Sequence, residues 1–343
     1  MNIEQNYDLT KLNTFGVSAR AKFFIELNNE FDLKELFLSP IFKNNEKLFL
    51  GGGSNILFTK DFDGIIILNK IRGIEILKED NTSVLIRAMG GEVWNDLVNF
   101  AVDNEYWGIE NLALVPGTVG AAPMQNIGAY GVELKDTLEN VEAFDITTGD
   151  KKVFTKEECE FGYRDSVFKN KLKGRYFIFS ITLKLSKIPK RNVTYKVLQD
   201  YLENLSAQAG NKIETKSLKD ISDAVANIRR SKLPDPKIIG NAGSFFKNVF
   251  TTKEKVQSLL EEFTDLPYFE EDNLVKIPAG WLIEQCGWKG KSVGNVGVHD
   301  KQALVLVNHG GASGEEIKNL AEQIIKSVYE KFGLKLIPEV NLI

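Results

Sequence analysis

The sequence predicts an α+β fold divided into two or three domains. Three observations support this fold class. The chain has 343 residues, more than one hydrophobic core usually holds. Short apolar or alternating runs bounded by glycine, typical of strands, are mixed with segments whose apolar residues recur at helical spacing. After the LPDP stretch at 233–236 the pattern changes to longer helices, which marks a candidate domain boundary.

The composition is that of an ordinary soluble globular protein, with 43% hydrophobic and 26% charged residues. The net charge of -4 gives no electrostatic reason to expect nucleic acid or an anionic membrane as a partner. No apolar stretch reaches the roughly 18 to 20 residues that cross a bilayer, and MNIEQNYDLTKL lacks the apolar core of a signal peptide. We therefore expect a cytosolic protein. Because no long exposed apolar stripe is evident, we expect a monomer.

The cysteines and histidines exclude several kinds of site. Cys159 and Cys286 lie far apart and form no paired spacing for zinc or for a redox motif, so we expect two reduced, buried thiols and no metal site. Neither His299 nor His309 stands in a sequence that resembles the nucleophile elbow of a hydrolase.

Strands dominate the first part of the chain. FFIEL (23–27), KLFL (47–50) and GIIILNK (64–70) are predicted strands around glycine turns. SVLIRAMGG (83–91) is predicted to be a strand that leads into a helix. That helix has apolar residues at helical spacing, namely Val93, Trp94, Leu97, Val98 and Ala101.

A hairpin, a long strand and a helix are predicted up to the boundary. VEAFDITTGDKKVF (141–154) indicates a hairpin with its turn at 147–150. In YFIFSITLKLS (176–186) alternation predicts one strand face, made of Phe177, Phe179, Ile181, Leu183 and Leu185. A helix follows through Leu218, Ile221, Val225 and Ile228 and stops at LPDP.

Beyond LPDP the sequence predicts two helices, a buried strand, a long helix and an extended segment. They cover, in order, 251–263, 278–287, 303–308, 313–332 and 334–343. Ser313 and Glu316 have the spacing of a capping box at the start of the long helix, and Gly333 suits its end.

Two glycine-rich segments need an explanation. LGGGSN (50–55) and PGTVGAAPMQNIGAYG (116–131) contain neither the Lys-Ser/Thr ending of a P-loop nor a G-x-G-x-x-G that opens a helix. Such segments could present successive backbone N–H groups to a diphosphate. Each could equally be a tight structural turn, which is the commoner case for either one alone. Their joint presence favours a bound dinucleotide.

Longer motifs give a specific resemblance. The chain contains, in this order, LGGGSNILF, ENLALVPGTVGAAPMQNIGAYGVEL, FGYRDSVFK, KLPDPKIIGNAGSFFKNV, AGWLIEQCGWKG and PEV. These words resemble the UDP-N-acetylenolpyruvoylglucosamine reductase (MurB) family, type I, from about Asn13 to Glu339.

The resemblance implies a fold and a reaction. The implied fold is a two-part FAD-binding unit of the vanillyl-alcohol-oxidase type followed by a smaller α/β substrate-binding domain. The implied parts are 1–70 and 71–233 for FAD, 234–333 for substrate, and 334–343 as a segment that returns to the active site. The implied reaction uses NADPH and noncovalent FAD to reduce the enolpyruvyl group of a UDP-sugar in peptidoglycan precursor synthesis.

The family motifs also imply which residues hold the cofactor. They are Gly51, Gly52, Gly53, Ser54, Asn55, Pro116, Gly117, Thr118, Gly120, Ala121, Gln125, Asn126, Gly128 and Ala129.

Three residues match catalytic positions of the family. Arg164 would bind the substrate carboxylate, since guanidinium is planar and permanently charged, although a salt bridge with Asp165 is an alternative. Ser244 would donate the proton, although serines beside aromatic residues are usually turn residues. Glu339 would be protonated and donate a hydrogen bond as negative charge builds, although an exposed glutamate on a terminal strand is the plain alternative.

Six residues match positions that contact the UDP-sugar in the family, although each alone could be a solvated surface residue. They are Tyr163, Tyr195, Lys232, Asn248, Lys289 and Gln302.

Two other functions compete with this one, an FAD oxidase on the same scaffold and a non-catalytic nucleotide-sugar binder. The words GNAGSFFKN and RDS argue against the oxidase, and the two glycine-rich words argue against the binder.

Overall fold

The computed structural model describes residues 2–209, 216–271 and 273–343, with only the backbone at 208 and 209. The chain packs as two compact units. The first unit comprises the residues up to Tyr7, Ala21–Gly52 and Asp63–Ser231. The second unit comprises Asp8–Arg20, Gly53–Phe62 and Lys232–Ile343. Two short segments that the sequence analysis places in the first 70 residues therefore pack with the second unit. The predicted functional boundaries at 70, 233 and 333 stay predictions.

The helices are α1 (Glu30–Leu38), α2 (Pro40–Asn44), α3 (Trp94–Asp103), α4 (Lys196–Ala209), α5 (Leu218–Lys232), α6 (Lys253–Leu260), α7 (Ala279–Gln285) and α8 (Gly314–Phe332). Short 3-10 helices cover Thr10–Leu12, Glu110–Leu112, Val119–Gln125 and Leu134–Asp136. The strands are β1 (Glu4–Asp8), β2 (Arg20–Leu27), β3 (Glu46–Leu50), β4 (Ile56–Leu57), β5 (Phe62–Asn69), β6 (Ile74–Glu79), β7 (Ser83–Met89), β8 (Gly128–Ala129), β9 (Val132–Glu133), β10 (Leu138–Asp145), β11 (Lys151–Thr155), β12 (Tyr176–Ser186), β13 (Gly240–Ser244), β14 (Val249–Thr251), β15 (Phe269–Glu271), β16 (Leu274–Ile277), β17 (Ser292–Val293), β18 (Val296–Val298), β19 (Val305–Asn308) and β20 (Asn341–Leu342).

Two sheets organise the first unit. One is antiparallel, with strand order β11-β10-β12-β7-β6. Apolar residues of α3, α4 and α5 pack against it in the larger core. The other sheet has the order β1-β2-β5-β3, with β3 and β5 parallel. Residues of this sheet and of α1 form a second core with aromatic side chains of β10 and β12. The five-stranded sheet is therefore covered by apolar side chains on both faces.

The long strand β12 does not keep one face, so that prediction is wrong. Its pairing with β10 shifts register between Ser180 and Ile178, which leaves Phe179 as the extra residue of a β-bulge. Phe177 and Phe179 therefore belong to the smaller core, whereas Ile181 and the two leucines after it belong to the larger core. A bulge depends on the partner strand, so alternation in β12 alone could not reveal it.

Local signals set the ends of several helices as predicted. The helix α5 ends at Lys232, directly before LPDP, and the predicted hairpin is formed by β10 and β11. The helices α1 and α2 over 30–44 are not among the predicted elements. The missed signals are caps, since Asn29 accepts a hydrogen bond from the Asp32 amide at 2.9 Å and Ser39 accepts one from the Ile41 amide at 3.3 Å.

The second unit contains smaller sheets together with the helices α6, α7 and α8. Its sheets have the strand orders β13-β19-β18-β17 and β14-β16-β15, and β20 pairs with β4 in parallel. The predicted long helix is confirmed as α8. Ser313 and Glu316 form a capping box at its start, and Gly333 ends it with a φ of 64°.

Candidate active site

The two glycine-rich segments meet within the first unit. A Cβ atom on Gly51 would lie 2.3 Å from Thr118 Oγ1, and one on Gly52 would lie 3.0 Å from the Cα atom of Gly117. A Cβ atom this close would force its neighbours to shift, so Gly51 packs against the Thr118 side chain and the main chain of Gly52 packs against that of Gly117. The packing of the two loops therefore requires glycine. This requirement agrees with the alternative explanation, in which the glycines form tight structural turns.

A further glycine pair, which the sequence analysis did not single out, anchors the second segment. The amide of Gly120 donates to Gly90 O at 2.8 Å. A Cβ atom on Gly90 would lie 2.7 Å from Ile178 O, and one on Gly91 would lie 2.5 Å from the amide nitrogen of Ile71. The pair was visible in the sequence as the end of SVLIRAMGG. It holds residues 117–120 against β5 and β12 of the first unit.

Asn126, a predicted cofactor residue, is buried and its side chain is engaged within the protein. Its Nδ2 atom donates to Glu133 Oε2 at 2.8 Å and to Gly162 O at 3.1 Å. Its Oδ1 atom accepts a hydrogen bond from the Lys135 amide at 3.1 Å. Its φ of 44° ends the 3-10 helix in the left-handed region. The side chain thus connects the end of the 3-10 helix with residues 133–135 and with Gly162 of the first unit.

Arg164 occupies a tight turn between Gly162 and Asp165, which exchange backbone hydrogen bonds of 3.1 and 3.3 Å. Its φ of 52° is in the left-handed region, which is uncommon for a residue with a side chain. The guanidinium donates to Gly128 O at 2.5 Å and lies 5.4 Å from the ring centre of Tyr163. The turn therefore presents Arg164 beside the Gly128 end of the second glycine-rich segment.

The structure places a second arginine near Arg164. Arg229 on α5 is half-buried, and its Nε atom is fully buried without a hydrogen-bond partner in the described part of the chain. Burial lowers the pKa of its guanidinium, the Tyr130 hydroxyl opposes this shift, and the charge of Arg164 adds to it. Two neighbouring cations with an unpartnered buried donor are suited to an anion. Sequence reasoning missed Arg229 because it stands within an ordinary amphipathic helix pattern.

Two tyrosines complete this cluster in the first unit. The rings of Tyr130 and Tyr195 meet edge to face, with centres 5.5 Å apart. Burial raises the pKa of Tyr130, Arg229 opposes the shift, and Tyr195 reinforces it. The predicted residues Arg164, Tyr163 and Tyr195 thus lie around Tyr130 and Arg229, two residues that were not predicted.

Ser244 ends β13 in the second unit, at a distortion of the sheet. The pairing of β13 with β19 is irregular between Asn241 and Ser244, and Gly243 has a φ of 67°. The Asn241 side chain accepts a hydrogen bond from the Gly243 amide at 3.0 Å and donates to two backbone carbonyls. Phe245 is fully buried directly after Ser244. Ser244 is therefore held on a braced bulge with a packed aromatic residue behind it.

Glu339 lies beside Ser244 along the main chain of the second unit. The Glu339 amide donates to Phe245 O at 2.7 Å, and Phe246 forms an antiparallel bridge with Pro338. The Asn55 side chain donates to Glu339 O at 3.4 Å. Three predicted site residues from distant parts of the sequence, Asn55, Ser244 and Glu339, are thereby brought together.

The predicted substrate residues of the second unit fall into separate places. Asn248 Oδ1 accepts a hydrogen bond from the Ala279 amide at 3.1 Å, and a Cβ atom on Gly280 would lie 3.3 Å from Gln302 Oε1. Asn248 and Gln302 therefore converge on the first turn of α7. Lys289 follows the other end of α7 and forms an ion pair with Glu284 at 2.8 Å, and Lys232 is exposed at the end of α5.

Comparisons with known proteins decide the family. Residues 235–343 match the family model described as UDP-N-acetylenolpyruvoylglucosamine reductase, C-terminal domain, and residues 23–155 match the FAD binding domain. The chain is 47% identical to the UDP-N-acetylenolpyruvoylglucosamine reductase of Flavobacterium johnsoniae over 100% of both chains. It is 45% identical to that of Bdellovibrio bacteriovorus over 98% of both. The chain belongs to the UDP-N-acetylenolpyruvoylglucosamine reductase family. The resemblance named from the motifs is confirmed.

The fold of this reductase agrees with that assignment. The crystal structure of the UDP-N-acetylenolpyruvylglucosamine reductase from Thermus caldophilus has a similar fold, with a TM-score of 0.66 and 22% identity over 100% of this chain and 99% of that one. The predicted fold class is confirmed, an α+β chain with a two-part FAD-binding unit of the vanillyl-alcohol-oxidase type. The reductase is thus an FAD-dependent oxidoreductase.

The first unit of the reductase offers a surface that fits FAD. Gly52, Pro116 and Ala121 are exposed on the two glycine-rich segments. Glycine and alanine carry little or no side chain, so a dinucleotide can approach backbone groups closely here. The contacts of the fourteen predicted residues with FAD stay predictions. In the described part of the reductase, no helix has both the length and the apolar character that a membrane crossing requires.

Proposed function

We propose that Arg164, Ser244 and Glu339 carry the chemistry of this reductase. The enzyme reduces the enolpyruvyl group of UDP-N-acetylenolpyruvoylglucosamine to give UDP-N-acetylmuramate, a step of peptidoglycan precursor synthesis. FAD, reduced by NADPH, supplies the hydride when it is bound. The protein must then hold the substrate carboxylate, stabilise the charge that develops on it, and deliver a proton.

The observation that carries this proposal is the 2.7 Å hydrogen bond from the Glu339 amide to Phe245 O. It holds Glu339 against the residue that follows Ser244, although the two catalytic candidates are far apart in the sequence. We propose that the Ser244 hydroxyl and the Glu339 carboxyl group act as an acid pair. Such groups can donate hydrogen bonds and one proton to a carboxylate-stabilised carbanion.

Arg164 is assigned to the substrate carboxylate, with Arg229 as a second cation. A planar guanidinium binds a carboxylate through two parallel hydrogen bonds, and the Nε of Arg229, which has no partner among the described residues, would add a donor. Negative charge grows on the carboxylate during hydride transfer. A fixed cation therefore stabilises the transition state more than the ground state.

Ser244 is assigned as the proton donor. A neutral hydroxyl is a weak acid, but the enediolate formed by hydride addition is a strong base, so the Oγ proton can move to the adjacent carbon. The irregular pairing before Ser244 and the bracing by Asn241 hold the backbone that carries this hydroxyl group. Glu339, protonated, would donate a hydrogen bond to the developing enediolate.

The nucleotide-sugar part of the substrate is assigned to the six remaining residues. Lys232 and Lys289 would supply positive charge to the diphosphate. Hydrogen bonds to the UDP-sugar would come from Asn248, Gln302, Tyr163 and Tyr195.

We also propose that the enzyme acts in the cytoplasm as a monomer. Sedimentation of the purified holoenzyme tests the oligomeric state directly.

A spectroscopic experiment tests the proposed function. The purified protein is expected to be yellow, to lose its colour with NADPH under anaerobic conditions, and to regain it when the enolpyruvyl sugar nucleotide is added. Arg164→Gln should keep the bleaching by NADPH and slow the recovery of colour by about 100-fold or more. Colour that recovers only with oxygen would instead support an oxidase. Absence of colour even after reconstitution with FAD would support a nucleotide-sugar binder.

A further inference from the structure

Asn111 is a buried polar residue that the proposed chemistry does not use. It lies in the 3-10 helix Glu110–Leu112 of the first unit and is 0% exposed. Its Nδ2 atom donates one hydrogen bond to Tyr130 O and another to Asn192 O, both at 2.8 Å. Both hydrogens of the amide are therefore used, and each goes to the main chain of a different segment.

Asn192 completes the connection from the other side. Its Nδ2 atom donates to Gly131 O at 3.0 Å, and its Oδ1 atom accepts a hydrogen bond from Thr194 Oγ1 at 3.1 Å. Residues 192–194 are thus tied to the turn at 130–131 by three side-chain hydrogen bonds that involve two asparagines. We call this arrangement the asparagine latch, formed by Asn111 and Asn192.

The turn that receives the latch has an unfavourable backbone. Tyr130 and Gly131 connect β8 and β9 and both have positive φ, 48° and 81°. Two-residue hairpin turns of type I′ need positive φ at both central positions, which favours Asn or Gly at the first of them. A tyrosine there persists only if its surroundings hold it. The hydrogen bond from Asn111 to Tyr130 O provides such a restraint.

The segment on the other side of the latch carries Tyr195. The carbonyl of Tyr195 accepts hydrogen bonds from the amides of Leu198 and Gln199, both at 2.9 Å, so Tyr195 stands at the start of α4. Its side chain is 48% exposed and is steadied by its edge contact with Tyr130. The place of Tyr195 therefore depends on the two segments that the latch joins.

We infer that the asparagine latch orders the Tyr195 segment against Tyr130 before substrate binds, so that Asn111 is a positioning residue for the tyrosine that contacts the UDP-sugar. This inference rests on the substrate role proposed for Tyr195. Without the latch, residues 192–195 would have to be ordered when substrate binds, and that cost would appear as weaker binding. Because Tyr195 is assigned to the sugar nucleotide, we expect the rate of flavin reduction by NADPH to be unaffected.

The test compares Asn111→Ala and Asn192→Ala with the control Asn104→Ala. Asn104 also donates its side-chain amide to a backbone carbonyl, Phe100 O at 2.8 Å, in the same unit but at an exposed helix end. Amide hydrogen exchange is measured on the holoenzyme without substrate. For both latch variants, exchange at the amides of Leu198 and Gln199 should become about 10-fold faster, the size of one net hydrogen bond, and the control should not change.

Kinetics give the second measurement. Both latch variants should raise KM for the sugar nucleotide by about 10-fold, with kcat and the rate of flavin reduction by NADPH within about 2-fold of wild type. If Asn111→Ala does not fold, Asn192→Ala alone decides, because that side chain is near the surface.

Unchanged rates of amide hydrogen exchange at Leu198 and Gln199 overturn the inference. So does an unchanged KM in a latch variant when Tyr195→Phe raises KM. If Tyr195→Phe itself leaves KM unchanged, the proposed role of Tyr195 fails, and the exchange rates still decide whether the latch orders the segment.

Discussion

At the scale of single residues, Arg229 has an unusual position in the first unit. Its Nε atom is buried with no hydrogen-bond partner among the described residues, and this position costs free energy of folding because desolvation disfavours the charged form and Arg164 repels it. A residue kept in such a place despite the cost is typical of a binding site. The substrate carboxylate is the anion that would pair with it.

Replacement of Arg229 by methionine should separate stability from function. Arg229→Met removes the desolvated charge while keeping an unbranched side chain, so the free energy of unfolding should stay unchanged or rise by about 1 kcal/mol. The value of kcat/KM for the sugar nucleotide should fall by about 30-fold or more, because one cation for the carboxylate is lost. Urea unfolding and steady-state kinetics measure the two effects.

Arg230→Met is the matched control, because Arg230 is the adjacent residue of α5 and is exposed. It should change neither quantity. A large loss of stability in Arg229→Met with unchanged kcat/KM would mean that Arg229 is a structural residue.

The two thiols should differ in reactivity. Burial is the main cause that raises the pKa of Cys159 to about 12, and Glu158 and Glu157 add to it. At pH 8 only about one molecule in 10,000 then carries the reactive thiolate. In the native holoenzyme, iodoacetamide should label the half-buried Cys286 and leave Cys159 unmodified, as peptide mass spectrometry can show. Equal labelling of both thiols before unfolding would contradict this.

The raised pKa of Cys159 also has a consequence for stability. In the unfolded chain the thiol loses its proton near pH 9, whereas in the folded protein it keeps it up to about pH 12. The unfolded state therefore binds fewer protons in this window, and its thiolate form favours unfolding. The contribution of Cys159 to stability should be complete below about pH 9 and decline as the pH rises towards 12.

At the scale of elements, the contact between the two glycine-rich loops is the feature on which the cofactor surface depends. The main chains of Gly52 and Gly117 touch, Gly51 packs against the Thr118 side chain, and Gly90 accepts a hydrogen bond from the Gly120 amide of the second loop. A methyl group at this contact would push the loops apart. The exposed main chain around Gly52 would then lose its shape.

Gly52→Ala should therefore weaken FAD binding. Its Cβ atom would meet the Cα atom of Gly117 at 3.0 Å, where no flexible side chain can move aside. The variant should purify with less flavin, measured as the ratio of absorbance at the flavin band to that of the protein. Gly174→Ala is the control, because a Cβ atom there meets nothing within 4 Å although its φ of 72° disfavours alanine. The control should lose about 1 kcal/mol of stability and keep its flavin.

At the scale of the whole molecule, the sequence predicts what local signals encode. The helix α8 between Ser313 and Gly333 follows from its capping box and its final glycine, both of which act within a few residues. The bulge at Phe179 could not be predicted, because it arises from the register with β10. Arg229 was missed for a similar reason, since its environment includes Tyr130 from a distant loop.

The candidate site also combines residues that no local sequence signal connects. No spacing rule joins Ser244 to Glu339, and only the resemblance to a family placed both in one site. The structure adds a backbone hydrogen bond from the Glu339 amide to Phe245 O, in the residue after Ser244. Residue roles in this site remain predictions, whereas membership of the reductase family is established.

The two half-reactions of Ser244→Ala, followed anaerobically by stopped flow, test the central claim most directly. Loss of the hydroxyl should leave the bleaching of the flavin by NADPH within about 2-fold of wild type, and should slow its reoxidation by the enolpyruvyl sugar nucleotide by about 1000-fold. Equal slowing of both half-reactions, or reoxidation at the wild-type rate, would remove Ser244 from the role of proton donor.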